Sequence, residues 1–363
     1  RVLGEEQVRY ISPWKIVKSG KMTVRGQEQQ YYDIFGIAGI DYLELFRKYR
    51  GIGYESFALA HIANVELGSE KLDHSEYQNF KDFYTQDWTK FVDYNIRDVE
   101  LVSQLEDKLG LIELQMTMAY DFRVNYEDVF SQVRCWDMLI YNYLRRRGVV
   151  IPPKSFHNKD TAYAGAYVKD PNPGKYNWVF DLDLTSMYPS TIMTLNISPE
   201  MKIGKVNGWN AEEFIRGVSK TYSLEKNGKT QGHMNNEELA SMFKSNKISI
   251  SSNGILYRND KKGLIPSLLS KWFDERVEYK RLMKKYGEEG NDEQHGYFKR
   301  RQHVQKIVLN SLYGVLGLPV FRFYDIDNAE ATTTTGQDLI KFTEKIANSY
   351  YNTKLGDKED YCI

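Results

Sequence analysis

The stretch Lys306-Ile307-Val308-Leu309-Asn310-Ser311-Leu312-Tyr313-Gly314 sets a cation, an amide and an aromatic ring on one side of a helix. Lys306, Asn310 and Tyr313 stand at i, i+4 and i+7, so they share a face. Leu309, Leu312 and Leu316 supply much of an apolar stripe. Such a row suits a ligand that carries phosphate, sugar and base. A plain amphipathic helix with a snorkelling lysine has the same spacing. Around it, the pattern predicts a helix over His295 to Leu316 and another over Pro266 to Tyr286. The polar turn Gly287-Glu288-Glu289-Gly290-Asn291 separates them, so an antiparallel hairpin is expected. On the facing helix Arg276 and Lys280 are again i and i+4, about one turn apart. With Lys306 they would form a three-cation clamp for a triphosphate, which Arg can grip bidentately. Glu278 beside them equally suits an ordinary solvated face.

Upstream lies Phe180-Asp181-Leu182-Asp183-Leu184-Thr185-Ser186-Met187-Tyr188-Pro189-Ser190. From Tyr176 to Asp183 the pattern has period two. Trp178, Phe180 and Leu182 fall on one face, and Val179, Asp181 and Asp183 on the other. A strand ending in a carboxylate is expected, followed by a turn. Such a carboxylate can hold Mg²⁺, and the turn's backbone N–H groups can cradle phosphate. A solvent-facing acidic edge before a Pro turn is the bland alternative. Asp181-Leu182-Asp183-Leu184-Thr185 also fits the D-x-D-x-T opening of haloacid-dehalogenase-type phosphatases, with Asp181 as nucleophile and Asp183 as general acid. That reading leaves the mid-chain position and Tyr188-Pro189-Ser190 unexplained.

The 363 residues suggest two or three domains. With 17 Phe, 27 Tyr and 6 Trp, the chain buries enough area to exclude disorder as its main state. No run approaches ~18 uninterrupted apolar residues, and Arg1 to Tyr10 lacks a signal peptide's apolar core. Cys135 and Cys362 alone make neither a disulfide framework nor a cysteine zinc site, and suit a reducing interior. The formal charge is zero, which argues at first against a polyanion partner. Between Lys271 and Arg301, however, nine basic residues face seven acidic ones, and four of those acids sit at the turn. Neutrality therefore excludes nothing. Phe80 to Leu109 reads as largely helical, from Phe83, Trp88, Phe91, Val92, Val99, Val102 and Leu105. Leu111 to Arg147 continues as helix with a break near Asn125 to Phe130, stopped by Gly148. Ile151 to Lys154 reads as a linker and Asp170 to Gly174 as a turn. Residues 200–262 read as short strands and polar loops, and Ala329 to Tyr350 as a helix.

Asp183 to Ser190 and Lys306 to Gly314, in this order and about 120 residues apart, resemble motifs A and B of family B DNA polymerases, especially the replicative enzymes of tailed phages. Ala162 to Lys169 resembles the Y-x-G-G/A segment between exonuclease and polymerase parts. Tyr94-Asn95-Ile96-Arg97-Asp98 resembles the third exonuclease motif, Y-x₃-D. The likeness covers nearly the whole chain. It implies an α/β and α+β multidomain protein: the C-terminal part of an RNase H-like 3′–5′ exonuclease, then a right-hand palm of antiparallel sheet with helices, and a two-helix fingers hairpin, with no thumb. The implied divisions are 1–111 exonuclease, 112–154 helical connector, 155–262 first palm part, 263–318 fingers and 319–363 second palm part.

The resemblance also implies roles. Asp183 would bind both catalytic Mg²⁺ ions, and Asp98 an exonuclease metal, with Tyr94 orienting the attacking water. The Ser186, Met187 and Tyr188 backbone would meet the β- and γ-phosphates. Tyr188 would lie under the sugar and exclude a ribose 2′-OH. Arg276, Lys280 and the catalytic Lys306 would hold the triphosphate with Asn310, while Tyr313 and Gly314 border the nascent base pair. Tyr163 and Gly165 would contact template backbone. Partners would be primer–template DNA, deoxynucleoside triphosphates, a sliding clamp and other replisome proteins, and no membrane, in a viral replisome in the cytoplasm of a bacterial host. Several departures stand beside this. No Y-x-D-T-D motif occurs, and Asp325 and Asp327 are not assigned to metal. The earlier D-x-E and N-x₃-F-D motifs are missing, and His61 and His74 do not replace them. The chain opens on Arg1 and stops at Asp360-Tyr361-Cys362-Ile363, which reads as a strand cut in mid-run. An internal fragment is expected, or one piece of a split enzyme whose second polypeptide carries motif C. A non-catalytic DNA-binding remnant is the other class.

One carboxylate does not fix two metals. The purified chain with Mg²⁺, deoxynucleotides and primer–template is expected not to extend the primer. Supplying the missing C-terminal part should restore extension, and Asp183→Ala should abolish it again. Robust extension by the chain alone overturns this reading.

Overall fold

Strand β1 (Val17–Val24) and strand β2 (Gln27–Ile34) pair antiparallel, from Val17 against Ile34 to Val24 against Gln27. The computed structural model describes residues 7, 9–24, 27–50, 53–154, 165–245 and 247–362, in two compact units, 1–138 and 139–363. In the first unit, Ser12 closes the base of the hairpin. Its hydroxyl donates to the Phe35 carbonyl (2.7 Å) and accepts from the N–H of Ile16 (3.2 Å).

Helices α1 (Tyr42–Arg50) and α2 (Leu59–Leu67) follow, the second stopped by Gly68 in the left-handed region (φ 65°). The expected single helix over Phe80 to Leu109 is two, α3 (Phe80–Gln86) and α4 (Trp88–Leu109). Asp87 explains the break: its carboxylate accepts from the N–H of Lys90 (3.0 Å) and caps a new start. Gly110 ends α4, and α5 (Leu111–Phe122) begins at once. There Glu106 accepts from the N–H groups of Leu111 and Ile112. Helix α6 (Gln132–Arg145) comes after the expected break, and the division between units falls inside it. The core joins Leu45, Phe46, Ile62, Leu105 and Leu111.

The expected apolar face of α4 needs correction. Trp88 and Val99 are 63% and 71% exposed, while Tyr94, Leu101 and Leu105 are buried. At about 100° per residue, 94, 101 and 105 fall on one side of the helix and 88, 92 and 99 on the opposite side. The helix carries two apolar stripes, and the core takes only one.

In the second unit, α7 (Met187–Leu195) follows an extended run. Five strands then form one antiparallel sheet in the order β5-β4-β3-β7-β6: β3 (Lys202–Asn207), β4 (Thr221–Lys226), β5 (Lys229–Asn235), β6 (Ile248–Ile250) and β7 (Ile255–Arg258). Asn227-Gly228, both at positive φ, make the tight β4–β5 turn. Short helices α8 (Ala211–Ile215) and α9 (Asn236–Lys244) lie within this region, α9 with a capping box of Asn235 and Glu238. The sheet's core joins Val206, Tyr222, Leu239 and Leu256. Helices α10 (Leu264–Glu288) and α11 (Asp292–Leu316) form the expected antiparallel hairpin, and α12 (Ile326–Leu355) is capped by Asp325. None of the described helices is long and apolar enough to cross a membrane.

The strand expected over Tyr176 to Asp183 does not form among the described residues. Trp178, Phe180 and Leu182 are 96%, 62% and 75% exposed, and Trp178 turns to positive φ (62°). Alternation defines two faces, but a strand also needs a ladder partner. The longer segment 165–180 instead meets α12 at three points. Gln337 Nε2 donates to the Gly165 carbonyl (2.7 Å), Lys169 pairs with Glu344 (2.8 Å), and the Phe180 ring lies 6.3 Å from that of Tyr351. Residues 360–362, expected to continue a strand, also have no ladder.

Glu66 is one of the buried acidic residues of the first unit. Tyr54 donates to it, with Arg50 at 2.8 Å and Lys108 at 3.2 Å. These bonds, Tyr54's first, outweigh burial and hold its pKa at about 2, against an ordinary 4.5. A depressed carboxyl pKa contributes stability above about 4.5 that fades as pH falls through about 2. Between pH 5 and pH 2.5, Glu66→Gln should lose about 2 kcal/mol less stability than the wild type in denaturant titrations. Equal losses in both proteins contradict the assignment.

Candidate functional site

Three contacts define the seam between α10 and α11. Gln305 Nε2 donates to Glu275 Oε2 (2.9 Å), the Arg301 guanidinium donates to the Tyr279 hydroxyl (3.2 Å), and the Tyr286 and Phe298 rings stack at 5.5 Å and 1°. In a right-handed helix each residue turns about 100° past the one before it. Two antiparallel helices reverse that sense relative to each other. A residue that follows a seam residue therefore turns to the same side on both. Arg276 follows Glu275, Lys280 follows Tyr279 and Lys306 follows Gln305, so all three cations come to one face of the hairpin.

The burial pattern agrees. Val304, Val308, Leu309, Leu312, Val315 and Leu316 are buried. Lys306, Asn310 and Gly314 are exposed, and Tyr313 is half-buried. Lys280 is exposed; Arg276 is half-buried, and its Nε has no hydrogen-bond partner among the described residues. Burial pulls the Arg276 pKa down. A guanidinium kept partly dry gains more from an arriving anion than one in open water.

The other half of the site meets both helices of the hairpin, α10 through Ser270 and Met193 (3.3 Å) and α11 through a ring pair. Tyr188, in the first turn of α7, lies 4.7 Å from Tyr313 at 34°. Ser186 caps this helix at positive φ (50°). The Met187 and Tyr188 N–H groups fall in the first turn, where a helix offers its N–H groups no acceptor of its own. Pro189, with no N–H to satisfy, sits in the same turn. The Ser190 N–H closes that turn on the Ser186 carbonyl at 2.9 Å. Asp183 and Asp181 lie just upstream, both exposed.

In the first unit, Tyr94 and Asp98 do meet, through a residue that motif reading passed over. Lys71 Nζ lies 2.8 Å from Asp98 Oδ2, donates to the Tyr94 hydroxyl (2.7 Å) and sits 4.7 Å above its ring. Burial lowers the Lys71 pKa, but Asp98 and Tyr94 more than offset it, so the net shift is upward. Asp98 Oδ1 is buried without a partner among the described residues. A cavity of about 610 Å³ opens beside Asp98, lined by Tyr42, Leu59, Val99, Val102 and Ile112 among others. Lys71 lies far from the Y-x₃-D stretch in sequence, and no local pattern marks it.

Mg²⁺ takes oxygen ligands in a near-octahedral set. Among the described residues, no three or more His, Cys, Asp or Glu side chains stand together to hold a metal. Asp183 offers a single carboxylate, and an ammonium closes one oxygen of Asp98. These donors alone do not make a two-ion site. Asp325 and Asp327, left unassigned above, pair with Lys202 at 2.7 and 3.1 Å, and Asp325 also caps α12. Tyr163 lies outside the described residues, and Gly165 is exposed with its carbonyl on Gln337.

Residues 126–361 match the family model of DNA polymerase family B. The chain is 28% identical to a DNA-directed DNA polymerase of Escherichia phage RB69, over 98% of this chain and 42% of that protein. It is likewise 28% identical to one of Enterobacteria phage T4, over 99% of this chain and 42% of the relative. Against DNA polymerase II of Escherichia coli it is 24% identical, over 84% of this chain and 33% of the relative. The chain thus spans about two-fifths of the length of its phage relatives. A helix hairpin with cations from both helices on one face, in ring contact with the start of α7 through Tyr313 and Tyr188, agrees with that match: the chain belongs to DNA polymerase family B.

Proposed function

We propose that the protein containing this chain adds deoxynucleotides to a DNA primer under template direction, and that this chain supplies its triphosphate clamp and sugar seat. The observation that carries the proposal is the convergence of Arg276, Lys280 and Lys306 on one face, above the Tyr188–Tyr313 pair. Three cations along one face match the spread of charge on a triphosphate. Met187 and Tyr188 N–H groups complete its cradle. Tyr188 floors the sugar and leaves no room for a 2′-OH, while Asn310 assists and Tyr313 and Gly314 border the base.

The reaction is attack of the primer 3′-oxygen on the α-phosphorus. A new P–O bond forms, and the bond to the oxygen bridging to the β-phosphate breaks, so pyrophosphate leaves. Arg276, Lys280 and Lys306 neutralise charge as it grows on that leaving group. Closure of the hairpin over a matched base pair brings them in. Asp183 would offer one oxygen donor to Mg²⁺ in the complete enzyme, where the metal would supply charge stabilisation at the phosphate. In the first unit, Asp98, Tyr94 and Lys71 form part of a 3′–5′ proofreading site. Primer–template and deoxynucleotides are the substrates, and a sliding clamp and replisome partners act through regions outside this sequence, during viral replication in a host cell.

In the complete protein, Arg276→Ala and Lys306→Ala should each lower kcat/KM for deoxynucleotide by about 10²–10³. Glu278→Ala, whose carboxylate pairs with Arg281 on the exposed surface, should stay within about threefold. Single-turnover incorporation measures all three. A Lys306→Ala enzyme that incorporates at the wild-type rate shows that the hairpin does not clamp the triphosphate.

A further inference from the structure

Gly336 lies in the interior of the 30-residue helix α12 and is buried. Glycine weakens a helix interior relative to alanine, so its presence there calls for a reason. A β-carbon at 336 would stand 3.1 Å from Cε1 and 3.6 Å from Cδ1 of Tyr188, and 3.2 Å from Cε of Met187. Tyr188 thus rests one edge of its ring on the bare backbone of α12 and leans on Tyr313 with a centroid separation of 4.7 Å.

The helix beneath the ring is tied down on both sides of Gly336. Thr335 Oγ1 accepts from the Ser252 N–H (3.1 Å), and Asn253 donates to Glu330 (3.1 Å) and to the Asp327 carbonyl (3.2 Å). Gln337 holds the Gly165 carbonyl, and Asp325 pairs with Lys202 at the helix start. A helix so anchored does not retreat from an added methyl group. The tyrosine ring gives instead, by a few tenths of an ångström away from α12.

We infer that Gly336 is a positioning residue that sets how deep the Tyr188 ring sits, and hence the height of the sugar seat. This rests on the reading of Tyr188 as the floor of the nucleotide sugar. Gly336 touches no substrate and acts through the Tyr188 ring, the end of the flexible Met187 side chain being free to turn aside. A methyl at 336 lifts the floor, so the incoming deoxynucleotide binds less well while the chemistry of a bound one is little altered.

The test is a double-mutant cycle in the complete polymerase, with Gly336→Ala, Tyr188→Ala and the pair. Single-nucleotide incorporation is measured with deoxy- and ribonucleoside triphosphates, and thermal unfolding is followed in parallel. Gly336→Ala should raise KM for deoxynucleotide about threefold to tenfold with kcat within about twofold. In the Tyr188→Ala background the same methyl should leave KM unchanged and should raise Tm through better helix propensity. An equal KM effect in both backgrounds, or none with Tyr188 present, overturns the inference. Should Gly336→Ala fail to fold, folding of the double variant supports the contact and its failure overturns it. If Tyr188→Ala still excludes ribonucleotides, the reading of Tyr188 is what fails, while a larger gain in Tm from Gly336→Ala without the ring than with it separately decides whether Gly336 meets that ring.

Discussion

The hydrogen bond from Gln305 to Glu275 is the contact on which the site's geometry turns. Gln305 is almost fully buried in a seam that also holds valine, leucine, aromatic rings and the Arg301–Tyr279 hydrogen bond. Apolar surfaces are non-directional and tolerate sliding. A buried amide is not so tolerant, because leaving it unpaired costs roughly 1–3 kcal/mol. The pair therefore selects one rotation of each helix. A roll of about 100° on either helix would turn Arg276 or Lys306 from the shared face into solvent or into the seam. The cations' placement follows from a neutral donor and a carboxylate one residue earlier, without any contact among the cations themselves.

A second dependence runs from the sheet to the tyrosine pair. Lys202 on β3 joins Asp325 and Asp327, and the Tyr257 hydroxyl on β7 donates to Asn328 at 2.8 Å. Burial raises the Tyr257 pKa well above its ordinary value, with Asp325 and Asp327 adding to the shift, so the phenol stays protonated and donates. These bonds hold the first turn of α12 to the sheet. About three turns along the same helix, Gly336 meets Tyr188. The aspartates near motif B thus act mechanically. They are spent on Lys202 and on a helix cap, which explains why a D-x-D spacing there need not denote metal.

Much of this was legible in the sequence because it is local. The hairpin follows from period 3.6 and a polar turn, and the face carrying Lys306 and Asn310 from spacing alone. What escaped is long-range. Lys71 reaches Asp98 only because α4 packs near the loop after α2, and no motif spans that gap. Both apolar stripes of α4 satisfy helical periodicity, so spacing could not say which enters the core. The run at 176–183 has the alternation of a strand, but pairing is a property of a neighbour and not of the strand itself. Gly336, too, has no signal in sequence beyond being a glycine where a helix would prefer none.

Zero net charge and a phosphate-binding reading are compatible once the charges are placed. Four cations of α10 are paired in or at the end of their own helix, among them Arg281 with Glu278 and Lys285 with Glu289. Such exposed pairs contribute little to stability, yet they cancel charge locally. Arg276 differs: its partly buried guanidinium has no carboxylate against its Nε among the described residues. By the same seam rule exposed Lys299, which follows Phe298, joins Arg276, Lys280 and Lys306, so these cations form a strip along one side of the hairpin. A narrow field of one sign attracts a compact polyanion such as a triphosphate more selectively than a broadly basic surface, which would hold any phosphate backbone. Pairing of other α10 cations with nearby carboxylates adds to the contrast of that strip.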